Sequence, residues 1–529
     1  MTEHEQLGAP ADPDGRPTRV PPQGHPPQGH PPQGHPPQGR PPQSPPSAGP
    51  PPASPGPGAR PGRAGDDTAA PWPDAMLSLL RTPTADRGPA PEGAGADPPA
   101  GTEPARVLDL ALLVGELLLA SGEAAEDVEA AMLAVARAYR VHPCDPQVTF
   151  TRVAISYQPG PSEPSLSAEC SVRRPAVDYA RLAAVFRLVT EMTVGGLAVP
   201  EAHARLVAAR RHCRRYSGRL LGLSFGGMAG AATLLIGGRA DARAWLVFAS
   251  AVVAALAGER LSALVARHDL PAFYQFVVAA VPAAVIGILL SFNGLHLRGS
   301  VVITGGLYAL LPGWPMVAAA QDGLAGFYLT AAARLLEALY LMAAVVIGVM
   351  TVLYVGVNNG ADLAAQDAPH GAVNPPLQLA AAVLLTLAFA VLLNTEPATL
   401  PAVMLNSAAG WTTYGVLVNA GGEPILATGL AAGLVGLSGQ LMARCRGSSA
   451  LPHITAALGP LLPGSVLYFG LLAFVRGEPE VGLSGVGRAG AMAMALAIGV
   501  NLGRELARLF LPAPRVAPPR RRRGGRHRR

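Results

Sequence analysis

The chain has 529 residues, of which 50% are hydrophobic, 14% are charged and 5% are aromatic. Soluble domains carry roughly 25% charged residues, so a chain of this length cannot cover a globular surface with its charged groups. The formal net charge is +6, every basic residue is an arginine, and four cysteines are too few for a disulfide framework. This composition excludes a purely soluble enzyme, a coiled coil and a disulfide-stapled secreted domain.

Residues 1–104 form a Pro-rich segment of low complexity. The pentamer PPQGH occurs at 21–25, 26–30 and 31–35 and then becomes PPQGR. Such a segment cannot bury enough apolar surface to offset the entropy of ordering, so we predict a disordered tail. Its histidines could hold a metal ion, but a solvated repeat is the simpler interpretation. No signal-peptide pattern follows Met1, so the tail is expected in the cytoplasm.

Residues 105–216 are predicted to form a soluble α+β domain in the cytoplasm. Apolar residues recur at helical spacing through 107–118. Ser121 is the expected N-cap of a second helix, which Pro143 ends. The other predicted elements are a β-hairpin over 148–157 and 165–172 and two helices over 175–194 and 200–216.

From Leu220 onward, apolar segments alternate with short polar loops. A helix needs about 20 apolar residues to cross ~30 Å of hydrocarbon, and we count about ten such segments in two halves, 217–357 and 377–511. Arginine clusters flank this region, within 205–219 and within the Arg-rich tail 512–529. The ten predicted spans are 220–237, 244–264, 272–291, 300–319, 334–356, 377–394, 398–419, 425–443, 454–475 and 487–510.

The arginine clusters admit two interpretations, binding of nucleic acid and retention on the cytoplasmic side of a membrane. Their position beside apolar spans favours the second, because positive charge next to a span holds its flank in the cytoplasm. An even number of spans would place both clusters on that side. We therefore predict a multi-pass protein of the plasma membrane that has both termini in the cytoplasm and does not bind nucleic acid.

Two segments of the membrane region repeat one another. Residues 303–313 read ITGGLYALLPG and residues 454–464 read ITAALGPLLPG, identical at 7 of 11 positions with an offset of 151. They fall in the fourth and ninth predicted spans, so each half has five spans, and an odd number per half inverts the second half relative to the first. We predict an inverted repeat in which the two segments face each other near the bilayer midplane, an arrangement typical of secondary transporters.

Proline and glycine interrupt both segments, at Pro312 and Gly313 and again at Pro463 and Gly464. Proline removes a backbone donor and clashes with the preceding turn. Unpaired backbone groups survive at membrane depth only inside protein or beside a water-filled cavity. Paired interruptions at matching positions therefore favour a substrate site, with simple kinks or interfacial turns as the alternative.

Two stretches resemble the threonine/serine exporter family. They are LLLASGEAAEDVEAAMLAVARAYRV at 117–141 and LLPGWPMVAAAQDGLAGFYLTAAARLLEALYL at 310–341, and the likeness extends over about 107–511. The resemblance implies a cytoplasmic amino-terminal domain, two fused halves of five spans, and export of threonine and serine driven by a proton gradient. It leaves the oligomeric state open.

Charged residues within apolar spans are costly and are functional candidates by default. Asp322 follows the first interruption, and Arg334 and Glu337 lie three residues apart on one helical face. Either acid could carry a proton or bind an ammonium group in a cavity; alternatively, Arg334 and Glu337 form a structural pair and Asp322 caps a helix. The candidates for the substrate or proton pathway are Pro312, Gly313, Asp322, Arg334, Glu337, Pro463 and Gly464.

The remaining sequence motifs limit the metal, cofactor and catalytic chemistry that the chain could carry. The soluble domain contains Cys144, Cys170 and His142 but no CxxC or HExxH pattern, and no phosphate loop occurs, so we predict no metal, no cofactor and no ATP-driven pump. A membrane-anchored hydrolase with catalysis in 105–216 is the alternative to transport, and a scaffold with a Pro-rich recruiting tail is a third hypothesis. Ten spans exceed what an anchor needs, which favours a transporter and no enzyme.

Neutral polar residues and glycines also occur within the spans. Asn406 and Gln440 are expected to bridge helices by hydrogen bonds. Gly222, Gly226 and Gly230 recur every four residues, as do Gly429 and Gly433. This spacing favours close helix packing.

Overall fold

The computed structural model describes most of the chain after residue 71, and all of the described residues lie in one compact unit, Asp67–Arg529. The PPQGH repeat, Pro312 and the arginines of 512–529 lie outside the described residues. The described ranges are 72–80, 103–160, 162–172, 177–195, 197–211, 215–292, 298–311, 313–360 and 375–510.

The soluble domain combines five helices with one small sheet in its described residues. Apolar faces of the helices enclose a core that includes Leu108, Met132, Ile155 and Leu182, all essentially inaccessible to solvent. Strand order is β1-β2-β3, with both pairs antiparallel. The elements are α1 Trp72–Leu80, α2 Pro104–Ala120, α3 Ala125–Ala138, β1 Cys144–Val148, β2 Arg152–Tyr157, β3 Leu166–Ser171, α4 Tyr179–Thr193 and α5 Val199–Arg211.

The predicted hairpin is present, with Arg152 opposite Ser171 and Tyr157 opposite Leu166. The stretch predicted as one strand, 148–157, is instead the end of β1, a turn and the whole of β2. Buried residues alternate along β2, where Val153 and Ile155 face the helices. Strand β1 adds an edge that the sequence pattern did not predict, because Pro143 precedes it and Pro146 lies within it.

Helix α1 lies within the segment 1–104 that the sequence predicts to be a disordered tail. It packs on the soluble domain: the Trp72 indole N–H donates to Thr190 Oγ1 at 2.9 Å. The Trp72 ring lies 4.8 Å from the ring of Phe186. An apolar face and one satisfied indole donor are enough to hold this short helix against α4.

The start of α3 differs from the expectation that Ser121 caps it. The N-cap position is Ala124, which has no side-chain acceptor. Ser121 lies too early in the chain, and its hydroxyl donates to the Leu117 carbonyl at 2.6 Å while accepting from Arg181 Nε at 2.9 Å. The cap comes from the membrane region, where Asp322 Oδ1 accepts from the Ala125 N–H at 3.0 Å.

The rest of the chain is an α-helical polytopic membrane region. Within the described residues, seven helices are long and apolar enough to cross a membrane, and a pair bent by 43° raises the number to eight. The helices are α6 Gly218–Gly237, α7 Ala242–Ala266, α8 Ala272–Phe292, α9 Gly299–Tyr308, α10 Gly313–Leu324, α11 Tyr328–Asn358, α12 Pro375–Leu392, α13 Leu400–Asn419, α14 Pro424–Arg446, α15 Leu451–Ile454, the 3-10 helix Ala456–Leu461, α16 Gly464–Val475 and α17 Pro479–Phe510.

All ten predicted spans coincide with helices, but three differ from a simple span. Helix α9 has only 10 residues before the first interruption. Helix α13 has 20 residues but is more polar than the others, since Asn406 and Ser407 lie within it. The bent pair occupies the ninth predicted span, and its bend falls at Pro463. Ten crossings therefore remain a prediction.

The two halves share one packing pattern. In the first half, α7 packs between α6 and α8, α8 packs on α11, α9 packs on both α6 and α8, and α10 packs on α11. The second half has the same contacts: α13 packs between α12 and α14, α14 packs on α17, and α16 packs on α17. The short segment before α16 also contacts two helices, because its 3-10 helix packs on α12 and α15 packs on α14. The halves meet through α6 and α12, the first helix of each.

Small residues allow close helix contacts, as their spacing predicts. A Cβ placed on Gly230 would lie 2.7 Å from Phe248 Cε2, and one on Gly226 would lie 2.9 Å from Val252 Cγ1. Glycine at these positions brings α6 against α7. The Asn406 side chain donates to the Val435 carbonyl at 3.1 Å and the His453 carbonyl at 3.0 Å, so it bridges three helices.

The soluble domain docks on the membrane region through the start of α4. The backbone N–H groups of Tyr179 and Ala180 donate to the carbonyls of Leu393 and Asn394, both at 3.0 Å. The Asn394 side chain donates to Asp178 Oδ1 at 2.7 Å. These contacts hold the domain in place, so that the loop between α2 and α3 lies against the membrane helices.

Candidate functional site

The two repeat segments contact each other. The Tyr308 hydroxyl shares its one hydrogen between two carbonyl oxygens, those of Gly459 at 2.7 Å and Leu462 at 3.0 Å. Tyr308 and Gly459 are equivalent under the 151-residue offset of the repeat. Equivalent positions touch where a pseudo-two-fold axis passes between them, so this contact is what an internal symmetry of the two halves would produce.

Gly464 stands at the same contact, where α16 begins. A Cβ on Gly464 would lie 2.7 Å from Leu311 Cδ1 and 2.9 Å from Tyr308 Cδ2. The absence of a side chain therefore lets the start of α16 approach the first repeat segment. Its counterpart Gly313 begins α10.

A cavity of about 450 Å³ opens beside this contact. Its volume falls within the 300–1,000 Å³ typical of small-molecule sites. Pro463 lines it, together with the first turn of α16, and the rings of Trp411 and Tyr414 lie 5.4 Å apart in its wall. Charged lining residues are Arg476, Glu478 and Arg488.

Gln378 gives the cavity one unused acceptor. Its side chain is 3% exposed, and its Nε2 donates to the Leu235 carbonyl at 3.0 Å. The other end of the amide, Oε1, is buried and has no hydrogen-bond partner among the described residues. A buried acceptor without a partner costs about 1–3 kcal/mol, so a ligand that donates to it would bind with a corresponding gain.

Two kinds of group in the cavity complement an amino acid. The first amides of α16 have no partner within their own helix and carry partial positive charge, which suits a carboxylate. The carbonyl oxygen of Gln378 suits an ammonium or hydroxyl donor. Much of the remaining wall is apolar or aromatic, including Trp411, Tyr414 and Phe469.

The cavity lies away from the soluble domain. Arg488 lines it near the start of α17, whereas Arg504 near the other end of α17 contacts Asp127 of the soluble domain at 3.0 Å. At 1.5 Å per residue these two positions on α17 are separated by about 24 Å. The cavity and the docked domain therefore lie at opposite ends of the helix bundle.

A buried ion pair joins the bundle to the soluble domain. Arg334 Nη1 lies 2.9 Å from Asp322 Oδ2, and the two side chains are 8% and 0% exposed. Arg334 Nη2 also donates to the Glu123 carbonyl at 3.1 Å, and Asp322 caps α3 through Ala125. Both side chains thus hold the 121–124 loop, which we call the docking loop.

Glu123 projects from the docking loop into the membrane region. It is 4% exposed, and its Oε2 accepts from Ser449 Oγ at 2.8 Å. Burial, and then the nearby negative charge of Asp127, raise the pKa of Glu123 from 4.5 to about 7, although the Ser449 hydrogen bond and Arg504 act in the opposite direction. A carboxyl with this pKa changes charge near neutral pH.

The predicted site residues separate into three places. Pro463 and Gly464 lie at the cavity and the segment contact, while Asp322 and Arg334 lie at the docking loop. Glu337 is exposed on α11 and makes no ion pair among the described residues, so the partner of Arg334 is Asp322. The sequence interpretation missed Glu123, Gln378 and the cavity aromatics, although Tyr308 was visible inside the repeat.

Cys144 does not favour the hydrolase alternative. The thiol is buried and donates to the Val141 carbonyl at 3.2 Å. Burial raises the pKa of Cys144 to about 12, and a thiol that stays protonated is a poor nucleophile.

Comparisons with known proteins identify relatives of this chain. Two family models of threonine/serine exporters match residues 109–356 and 378–504. A protein of Mycobacterium tuberculosis named "Probable threonine/serine exporter" is 32% identical over 410 residues, 76% of this chain and 76% of its own. The "Threonine/serine exporter" of Corynebacterium glutamicum is 28% identical over 424 residues, 79% of this chain and 85% of its own. No solved structure gives a significant match.

Proposed function

The chain belongs to the threonine/serine exporter family, and on that premise we propose that it exports threonine and serine across the plasma membrane. It is a multi-pass membrane protein and acts as a transporter. The observation that carries the substrate site is the cavity beside the contact of Tyr308 with Gly459.

The substrate binds in this cavity as a zwitterion. Its carboxylate faces the amino-terminal turn of α16, behind Pro463, and its ammonium or hydroxyl group donates to Gln378 Oε1. Asp322 does not take the ammonium group, because its carboxylate is already paired with Arg334 and with Ala125. Asp322 and Arg334 act in closing the other end of the bundle.

Transport follows from an inverted repeat of five spans per half. The shared packing pattern of the halves and the contact between equivalent positions support this arrangement. The cavity is accessible from the end opposite the soluble domain, and the docking loop closes the end next to it. Movement of one half against the other exposes the bound amino acid to each side in turn.

The soluble domain and both termini lie in the cytoplasm, so the cavity faces outward in this structure. Arg215 and Arg219 stand at the junction of the soluble domain and α6, where the positive-inside rule places the cytoplasm. Export against a concentration gradient needs an energy source, and a proton gradient supplies it. Protons enter from outside as the amino acid leaves.

Counterflow in proteoliposomes tests this function. Liposomes that contain the full chain and unlabelled threonine should accumulate labelled threonine, and unlabelled serine should compete. An imposed pH gradient should then drive net movement of threonine. Failure of both amino acids to exchange in a correctly inserted preparation would overturn the proposal, while exchange that ignores the pH gradient would remove only the proton coupling.

A further inference from the structure

The docking loop occupies the end of the bundle that must open for a cytoplasmic substrate to enter. Three hydrogen bonds hold it there: Ser449 to the Glu123 carboxylate, Arg334 to the Glu123 carbonyl, and the Ala125 amide to Asp322. Every one of these bonds joins the soluble domain to a membrane helix or its flanking turn. The loop can therefore leave only if all three bonds break together.

Ionisable groups surround Glu123 from each element packed against it. Asp127 lies one turn into α3 and pairs with Arg504 and Arg508 at 3.0 and 3.5 Å. Arg508 also pairs with Glu505 at 3.0 Å. Four carboxylates thus face three guanidinium groups, so the set carries one negative charge when all are ionised and is neutral when Glu123 is protonated. The groups around Glu123 are Asp127 on α3, Tyr179 on α4, Asp322 on α10, Arg334 on α11, His453 on α15, whose ring contacts the Ser449 carbonyl, and Arg504, Glu505 and Arg508 on α17.

A small pocket separates Glu123 from the second repeat segment. Four polar residues line it, together with four apolar ones, and its volume of about 10 Å³ is near that needed for one water molecule. The lining residues are Glu123, Gln321, Thr455 and Arg504, and Val317, Leu451, Ile454 and Leu458. Gln321 is 5% exposed, and its Oε1 has no hydrogen-bond partner among the described residues. The same segment continues from Thr455 into the cavity wall at 460–463, so it connects the carboxyl to the substrate cavity.

Burial makes the charge of Glu123 depend on docking. The pKa of Glu123 is about 7 in the docked state, and an exposed glutamate has a pKa of ~4.3. Because the docked pKa is raised, docking is strongest below the exposed pKa and weakens as pH rises to about 7. The docking constant should fall about tenfold per pH unit across that window and stay constant above it.

We propose that Glu123 is the proton-binding carboxyl that couples docking of the soluble domain to transport. A proton on the Glu123 carboxylate keeps the loop docked and the cytoplasmic end closed while the cavity faces outward. Undocking exposes the carboxyl, which gives its proton to the cytoplasm and opens that end to substrate. This inference rests on the proposed export function and names the group through which the proton gradient acts.

Transport by Glu123→Gln in proteoliposomes is the first test. The amide keeps the size of the side chain but binds no proton, so gradient-driven accumulation of threonine should fall at least tenfold. Its remaining counterflow should not vary between pH 5 and pH 7. Glu163→Gln is the matched control, because Glu163 is an exposed carboxylate of the same domain, and it should behave as the parent chain does. Gradient-driven accumulation by Glu123→Gln with the parent's pH dependence would overturn the inference.

Hydrogen exchange of the full chain in detergent is the second test and does not depend on the substrate. After correction for intrinsic exchange, protection of the peptide that contains Ala125 should fall about 40-fold from pH 5 to pH 7 and then level off. Glu123→Gln should show constant protection over the same range. Constant protection in the parent chain would overturn the inference, even if the chain transports threonine. The predicted fall in protection would support the inference even if threonine is not the substrate. In that second case only the proposed function would be wrong.

Discussion

The two ends of α17 differ in what holds the surrounding helices together. Near its start, the bundle is joined by a tyrosine, by backbone carbonyls and by glycine contacts, and it leaves a cavity of about 450 Å³. Near its end, ion pairs and hydrogen bonds from arginines and carboxylates of the membrane region hold the soluble domain, and the pocket there has a volume of only about 10 Å³. Neutral packing contacts can rearrange at low cost in free energy, whereas separation of a buried ion pair is costly and gives two distinct states. This difference supports our proposal that the substrate binds at one end and that the other end acts as the gate.

The largest expected effect comes from breaking the ion pair at the closed end. Asp322→Asn leaves the Arg334 charge buried without its partner, while its amide oxygen can still accept from the Ala125 N–H. Breaking a buried pair costs about 3–5 kcal/mol, so thermal unfolding in detergent should shift strongly downward and export should be lost. Glu337→Gln is the control, because Glu337 is exposed on α11 and should change the unfolding midpoint little. Equal midpoints for the two variants would contradict the role given to Asp322.

A methyl group at the contact of the repeat segments should have the next largest effect. Gly464→Ala forces Leu311 or Tyr308 to move, and overpacking of this kind costs about 1–3 kcal/mol. Gly227→Ala in α6 is the matched control, since nothing lies within 4 Å of its added Cβ; it should be neutral or slightly stabilising. Unfolding midpoints that do not separate the two variants would argue against a close contact at Gly464.

Removal of the free acceptor in the cavity should weaken binding without unfolding the chain. Gln378→Leu deletes Oε1, and loss of one such hydrogen bond should lower threonine affinity about tenfold, equal to about 1.4 kcal/mol. Gln275→Leu serves as control, because its Nε2 also donates to a backbone carbonyl, that of Leu270, but at an exposed site. Competition binding of labelled threonine measures both. Unchanged affinity in Gln378→Leu would place the substrate elsewhere.

The smallest effect is expected at the exposed rim of the docking surface. Arg187 pairs with Glu396 at 3.1 Å, with the side chains 52% and 20% exposed. Exposed pairs contribute about 0–1 kcal/mol, so Arg187→Ala should leave export and the protection of Ala125 close to the parent values. A large loss of docking in this variant would mean that the rim, and not the buried pair, holds the domain.

Local patterns in the sequence predicted much of the fold. Apolar periodicity placed four of the five described helices of the soluble domain and the seven long apolar helices of the membrane region, and the repeat placed two segments that do contact each other. Local sequence patterns could not predict which side chains pair with each other in the folded structure. Arg334 and Glu337 share a helical face by spacing, yet Arg334 turns to Asp322 because only that acid is buried beside it.

The N-cap of α3 shows the same limit of prediction from local sequence. Sequence patterns look for a cap within a few residues of a helix start, and Ser121 fitted that pattern. The real acceptor for α3 is Asp322, 197 residues away in the chain. Glu123 was likewise visible only as an acid near a helix start, because nothing local records that the docking loop enters the membrane region. Gln378 gave no signal at all beyond being polar in an apolar segment.

Thiol accessibility at the two ends tests the central claim most directly. In a chain whose native cysteines are replaced by serine, Ser465→Cys reports on the cavity and Ser448→Cys on the closed end, next to the Ser449 that bonds Glu123. A membrane-impermeant reagent added opposite the soluble domain should modify Ser465→Cys, and threonine should slow that modification, while Ser448→Cys stays unmodified from that side. Modification of Ser465→Cys that threonine does not slow, or equal modification at both positions, would contradict the account.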